Sequence, residues 1–194
     1  KESSIENGTG IRINRNRKGV LLSKDLFQDG KLLTRTGFYE NGTLQSETSY
    51  SDYILNGEQK KYSTTGNIAL QQTWNKGKLD GLKVLYKDNT RVAEIPYMLG
   101  KKDGVEKHYH LDGTLAGEVH WVQGQKHGSD RKYENDETKI KWFFRGENIA
   151  PGQFELKEFE EKMLSELKDN YLNYPLEVAD LTTDEDSKFE EEKK

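Results

Sequence analysis

The chain has no cysteine, so neither a disulfide nor a thiolate metal site can organise it. Proline is nearly absent too, at three in 194 residues, which leaves long stretches free to build regular structure. Apolar residues make up 32% against 33% charged, too few for a compact two-layer core. No apolar run approaches the roughly 18 residues that a membrane-crossing helix needs. A nucleophile elbow, a Gly-rich phosphate loop and a Cys-His arrangement are all missing. Acids are abundant but spread without focus, so no acid-base pair can be nominated and the reading is non-catalytic, with no cofactor.

The net charge of -4 conceals an asymmetry: residues 155–194 carry -8 and residues 1–154 carry +4. A weakly positive body with an acidic tail lacks the concentrated Lys and Arg of a nucleic-acid binder. The chain opens with Lys1 rather than Met. That start fits either a removed leader or a trimmed end, and the first is slightly favoured, giving an expectation of an exported or lipid-anchored protein.

What the sequence does contain is a repeat. Copies begin at Gly19, Gly42, Gly66, Asn89, Gly113 and Asp136, spaced by 23 and 24 residues in alternation. Eight residues after each origin stands an aromatic: Phe27, Tyr50, Trp74, Tyr97, Trp121 and Phe144. Twenty residues after it, in five copies, stands Tyr39, Tyr62, Tyr86, Tyr109 or Tyr133. Such self-similarity is the mark of an array in which each copy covers only its neighbours, and that suits the shortage of apolar residues.

Within a copy the parity is that of strands. Ile68, Leu70, Gln72 and Trp74 alternate with Asn67, Ala69, Gln71 and Thr73, and Leu115, Gly117, Val119 and Trp121 do the same one pair of copies later. Asn41-Gly42, Asp88-Asn89 and Asn135-Asp136 suit two-residue hairpin loops, pairing Tyr39 with Leu44. Thr64-Thr65-Gly66 and Leu111-Asp112-Gly113 suit three-residue loops, pairing Tyr62 with Ile68 and Tyr109 with Leu115. The extra residue of the longer copies is then absorbed in the turn, and every aromatic stays on one face. At the opposite edge NKGKLDG, MLGKKDG and VQGQKHG read as longer Gly-bearing connections.

The resulting fold class is mainly β: a single-layer antiparallel meander of about twelve short strands, counted as two per copy. Residues 1–10 form a flexible lead-in and residues 11–150 the six-copy array. In residues 151–174, Leu156, Phe159, Met163, Leu167 and Tyr171 fall at helical spacing after Pro151-Gly152, predicting a capping helix over the exposed last strand. Residues 175–194 form an acidic tail with too little apolar surface to order itself.

The pattern from Tyr109 to Leu115, with its shorter version from Tyr39 to Leu44, is followed by an aromatic and G-K-x-x-G, as in Trp74 to Gly81 and Tyr97 to Gly104. Together these resemble the MORN repeat in its bacterial variant form, over residues 15–146. The resemblance implies a curved single-layer sheet of hairpins. Variant members are often called antitoxin-like, and the wider family is associated with protein contacts and, less securely, with phospholipids. Thr34 and Tyr53 stand where the pattern has Gly, and Asn89 and Asp136 stand at turns.

The candidate groove is the aromatic set Tyr62, Trp74, Tyr86, Tyr97, Tyr109, Trp121 and Tyr133. These rings either stack along the sheet in place of a second layer or stay open for a partner. The expected partner is another protein, as for an antitoxin or immunity factor; the alternative is a lipid or glycan at the cell envelope. His108, His110 and His120 with Glu106 and Glu118 match no ligand spacing and read as a solvated sheet face, so no metal is expected. Glu47, Glu94 and Glu118 recur at one offset and read as cross-strand ion pairs, with Lys83 opposite Glu94.

Overall fold

A computed structural model describes residues 3–134 and 137–173. The turn at Asn135-Asp136 and the acidic tail lie outside the described residues. Between Ser4 and Ile149 runs one antiparallel sheet of 16 strands in sequence order. Its strands are β1 (Ser4–Glu6), β2 (Thr9–Arg15), β3 (Leu21–Gln28), β4 (Lys31–Phe38), β5 (Leu44–Ser51), β6 (Ile54–Tyr62), β7 (Ile68–Asn75), β8 (Lys78–Leu79), β9 (Gly81–Lys87), β10 (Thr90–Met98), β11 (Lys101–Lys102), β12 (Gly104–Tyr109), β13 (Leu115–Val122), β14 (Gln125–Glu134), β15 (Glu137–Phe144) and β16 (Glu147–Ile149). The repeat therefore builds the expected meander, with β1–β2 preceding the first copy and β8 and β11 splitting two of its strands.

Tight turns set one edge. Asp29-Gly30, Asp52-Tyr53, Lys76-Gly77, Leu99-Gly100, Gln123-Gly124 and Arg145-Gly146 are all two-residue turns with positive φ at both positions. That geometry matches the twist of paired strands. The Gly-bearing connections at this edge are thus shorter than expected. Their glycine amides also reach back one copy: the N–H groups of Gly30, Gly77, Gly100, Gly124 and Gly146 donate to the carbonyls of Gly8, Leu55, Leu79, Lys102 and Lys126 at 2.7–2.9 Å.

At the other edge the three-residue loops ending in Gly66 and Gly113 occur as expected, pairing Tyr62 with Ile68 and Tyr109 with Leu115. Asp88-Asn89 is the expected two-residue turn, with φ of 50° and 63°. Asn41-Gly42 is a correction. The Tyr39 N–H donates to Thr43 O and the Gly42 N–H to Tyr39 O, the same pattern as at Gly66, so the loop has three residues. Phe38, not Tyr39, pairs with Leu44. The residue that the first copy lacks is missing from the β3–β4 bulge, where Thr34 stands, whereas Gly57 with φ 94° accommodates it in the next copy.

Register also sorts the aromatics, and here the one-face expectation fails. Partners directly opposite share a face. One row runs Asp25, Arg35, Thr48, Gln59 and Gln72, then through Ile95 and Glu106 to Val119 and Asp130, and the row behind it carries Glu47, Lys60, Gln71, Val84, Glu94, Lys107, Glu118 and Arg131. Trp74, Tyr97 and Trp121 share the first face with Phe27 and Tyr50. Tyr62, Tyr86, Tyr109 and Tyr133 lie on the second, two residues along their strands from Lys60, Val84, Lys107 and Arg131; a bulge after Tyr62, Tyr86 and Tyr109 then returns the chain with its next aromatic on the first face, whereas no bulge follows Tyr133. The last copy is out of step: Phe143 stands on the tryptophan face opposite Gly128, while Trp142 opposite Ser129 and then Phe144 occupy the tyrosine face.

The buried side chains concentrate on the tryptophan face. Phe27, Leu32, Ala93 and Ile95 are buried there beside Asp25, Thr48, Gln72 and Glu106. Apolar burial is scarce, so a polar spine carries the middle of the layer. Asp25 is fully buried and accepts from Arg35 Nε at 2.7 Å, Arg35 Nη2 at 2.9 Å, Arg12 Nη2 at 2.8 Å and Asn14 Nδ2 at 3.2 Å. The Arg35 and Arg12 guanidinium groups hold its carboxyl well below the usual carboxylate range. Gln72 donates to Gln59 at 2.7 Å, and Gln59 donates to Thr48 at 3.2 Å.

After β16 the chain turns at Pro151-Gly152 into α1 (Gln153–Asn173). Phe154 belongs to the sheet unit and meets the rings of His127, Trp142 and Phe144 at 5.1, 5.4 and 6.1 Å. From Glu155 the helix is a second compact unit, whose Leu156, Phe159, Met163, Leu164 and Leu167 are exposed. Among the described residues no helix is long and apolar enough to cross a membrane.

Candidate functional site

The seven aromatics proposed as a groove are divided between two faces, and they do not stack. Among the described residues, the ring-on-ring contacts all involve His127, Trp142, Phe144 and Phe154. On the tyrosine face the hydroxyls point into the sheet instead. Tyr62 donates to Glu47 at 2.6 Å, Tyr109 to Glu94 at 2.8 Å and Tyr133 to Glu118 at 3.1 Å. Burial first, and then the neighbouring Glu47 carboxylate, push the Tyr62 phenol up to about 12; burial and Glu94 raise Tyr109 in the same way. The recurrent glutamates thus serve as acceptors for the next tyrosine in the array. Their cross-strand neighbours are Lys60, Lys107 and Arg131, and Lys83 faces Ile95 rather than Glu94. At the offset where the others have a glutamate, Tyr86 has Gln71, whose amide donates to Glu58 at 2.6 Å.

The tryptophan face differs from copy to copy, and comparing equivalent positions shows where a site forms. Trp74 donates its indole N–H to Gln59 at 3.2 Å, and Leu70 stands on the same face of β7. Two copies on, Trp121 takes the place of Trp74, Glu106 that of Gln59 and Gly117 that of Leu70. Glu106 is buried and fully engaged: Lys102 Nζ lies 2.6 Å from one oxygen and His108 Nε2 2.8 Å from the other. Among the described residues no group accepts from the buried Trp121 indole N–H. A buried donor in that state costs roughly 1–3 kcal/mol.

At Gly117 the neighbouring strand closes in instead: a Cβ there would lie 2.8 Å from the Arg131 carbonyl oxygen. A cavity of about 400 Å³ borders Gly117, lined by Glu106, His108, Val119, Trp121, Lys126 and Asp130 and also by Glu118, Arg131 and Tyr133, which the register assigns to the tyrosine face. Lys102 sits over the Trp121 ring, its Nζ 4.4 Å from the ring centre, and Lys126 stands at 6.0 Å. Lys126 also bonds Asp130 at 2.6 Å. The cavity thus presents the Trp121 ring, the Lys126 ammonium group and two engaged carboxylates, Glu106 and Asp130, while the Trp121 indole N–H is buried. Such a mixture suits a polar, acceptor-bearing surface and offers no nucleophile with an adjacent base.

Among the described residues no cluster of three His, Asp or Glu side chains is placed to hold a metal. The histidines considered for one diverge. His108 faces the cavity with Glu106, whereas His120 lies on the other face with Nδ1 2.9 Å from Ser129 O. Sequence reasoning missed the cavity because it treated Gly117 as one more position in the alternation. The signal was present: every other origin-plus-four residue has a side chain.

Three segments, residues 31–52, 55–76 and 102–123, match the model of the MORN repeat variant. Each is one hairpin closed by a three-residue loop at Gly42, Gly66 or Gly113. The copies with Asn89 and Asp136 at the turn fall outside the matches. No curated protein matches the chain.

Proposed function

Since the chain is a MORN repeat protein, we propose that it is a non-catalytic scaffold that binds a partner protein on the tryptophan face, centred on the cavity at Trp121. Repeats of this family serve as binding modules, and the observation that carries the reading here is the buried indole donor left without an acceptor. A backbone carbonyl or side-chain amide entering beside Gly117 would satisfy it. Tyr97, Trp74 and Tyr50 continue the same face toward the amino-terminal end, giving the partner a row of rings on which to extend. A protein toxin held by an antitoxin is one partner class of this description.

The test is affinity capture with the wild-type chain and with Trp121→Phe, which keeps a ring but removes the donor. A partner protein enriched at least roughly tenfold on the wild type, at unchanged melting temperature of the variant, is the expected result. Equal recovery on both would defeat the assignment. Flotation with phosphatidylserine vesicles runs alongside, and co-flotation that survives Trp121→Phe would favour a lipid surface instead.

A further inference from the structure

The last copy breaks off where each earlier one continues. Strands β6, β12 and β14 run on past the tight turn and pair along the length of both neighbours. By contrast, β16 pairs only with Trp142, Phe143 and Phe144, and the chain then leaves through Ala150-Pro151. Among the described residues no strand lies beside β15 on its outer side from Glu137 to Lys141, and all five residues are exposed.

Hairpin geometry fixes what this open lane offers. The Arg145-Gly146 turn is flanked by Phe144 and Glu147, which must form a hydrogen-bonded pair across a two-residue loop. The N–H and C=O of Phe144 and Trp142 therefore point toward β16. By alternation those of Ile140 and Thr138 point the same way, into the empty lane. Two donors and two acceptors stand ready to pair with another strand.

We propose that this lane is a second binding surface, which takes an extended peptide of acid–apolar–acid pattern from a partner protein as one further antiparallel strand. The side chains on either face specify that pattern. On the tryptophan face Lys139, which bonds Glu134 at 2.6 Å in an exposed pair that an incoming acid can share, and Lys141 border the lane. Lys141 lies opposite Asp130, but Asp130 is already bonded to Lys126, so Lys141 is left to meet an incoming acid. On the tyrosine face Ile140 stands in the row where Glu47, Glu94 and Glu118 each oppose a base, Lys60, Lys107 or Arg131. An exposed isoleucine in that place selects an apolar neighbour instead. Glu137 at the far end favours a base. This surface is separate from the Trp121 cavity and does not rest on the reading of it.

A capped pentapeptide of sequence glutamate-valine-glutamate-threonine-lysine places valine opposite Ile140 and tests the idea by amide chemical shifts and hydrogen exchange in the full chain. Saturable binding is expected, with new protection at the Thr138 and Ile140 amides. N-methylation at the valine, which removes one inward-facing donor, should weaken binding roughly tenfold. Lys141→Glu should make the charge-reversed peptide the better ligand. Absence of saturable binding, or indifference to N-methylation, overturns the proposal. Protection of Thr138 and Ile140 in the free monomer, or a dimer joined through this edge, overturns it as well, since the lane would already be filled.

Discussion

Replacing Asp25 with Asn should loosen the amino-terminal copies and leave the rest of the array intact. The carboxylate is 0% exposed and receives four hydrogen bonds from Arg12, Arg35 and Asn14. Breaking a buried ion pair from one side costs about 3–5 kcal/mol, because the remaining charge is stranded. Here the stranded charges are Arg12 and Arg35, whose side chains are 47% and 42% exposed and can turn to water. The expected loss therefore sits at the lower limit, about 3 kcal/mol. In an array stabilised by neighbour contacts that loss stays local. Native-state hydrogen exchange should show roughly 100-fold weaker protection in β2, β3 and β4 with β12 to β14 unchanged. Asp25→Leu combined with Arg35→Met should restore much of it. Acid should mimic the single variant: the folded pKa is depressed, so the stabilisation is complete above the unfolded value of about 4 and is lost as pH falls toward the folded one. Uniform loss of protection across the sheet, or none at β3, would refute the reasoning.

Two other substitutions probe the faces separately. Gly117→Ala would set a methyl 2.8 Å from the Arg131 carbonyl oxygen, a backbone atom that cannot swing aside, and should destabilise by about 1–3 kcal/mol in thermal melts. Tyr62→Phe removes the bond to Glu47 and should cost about 0.5–1.5 kcal/mol in urea unfolding. In the wild type the raised Tyr62 phenol contributes stability that is whole below pH of about 10 and declines as pH rises through about 12, and ultraviolet phenolate titration should show this tyrosine lagging the exposed ones.

The sequence carried the fold well because ring spacing and turn glycines are local signals that a meander must obey. Tyr62 opposite Ile68 and Tyr109 opposite Leu115 followed from loop length alone. The division of Trp74 from Tyr62 did not, because it depends on bulges, and one residue inserted into a strand reverses every side chain beyond it. Tyr39 was misread for the same reason: counting from Gly19 ignores the residue absent near Thr34. The cavity was half legible. Gly117 in place of Leu70 and Glu106 in place of Gln59 could be seen by aligning copies, but only the structure shows Glu106 consumed by Lys102 and His108. The buried Asp25 gave no advance sign, since a carboxylate in a charge-rich chain looks like surface until its two arginines are placed around it.

The amide clasps that tie five of the tight turns back to the copy before have a bearing on how such a chain can grow. A stitch from Gly124 to Lys102, or from Gly146 to Lys126, closes only when the intervening length returns the strand to the same side and height. Whole modules can therefore be duplicated or deleted with the clasps re-formed, and because the clasps already close over 20, 21 or 22 residues, a single residue more or less is taken up by a bulge. Length in this protein therefore comes in steps of 23 or 24 residues, the odd residue being absorbed in turns and bulges and the remaining variation carried by side chains.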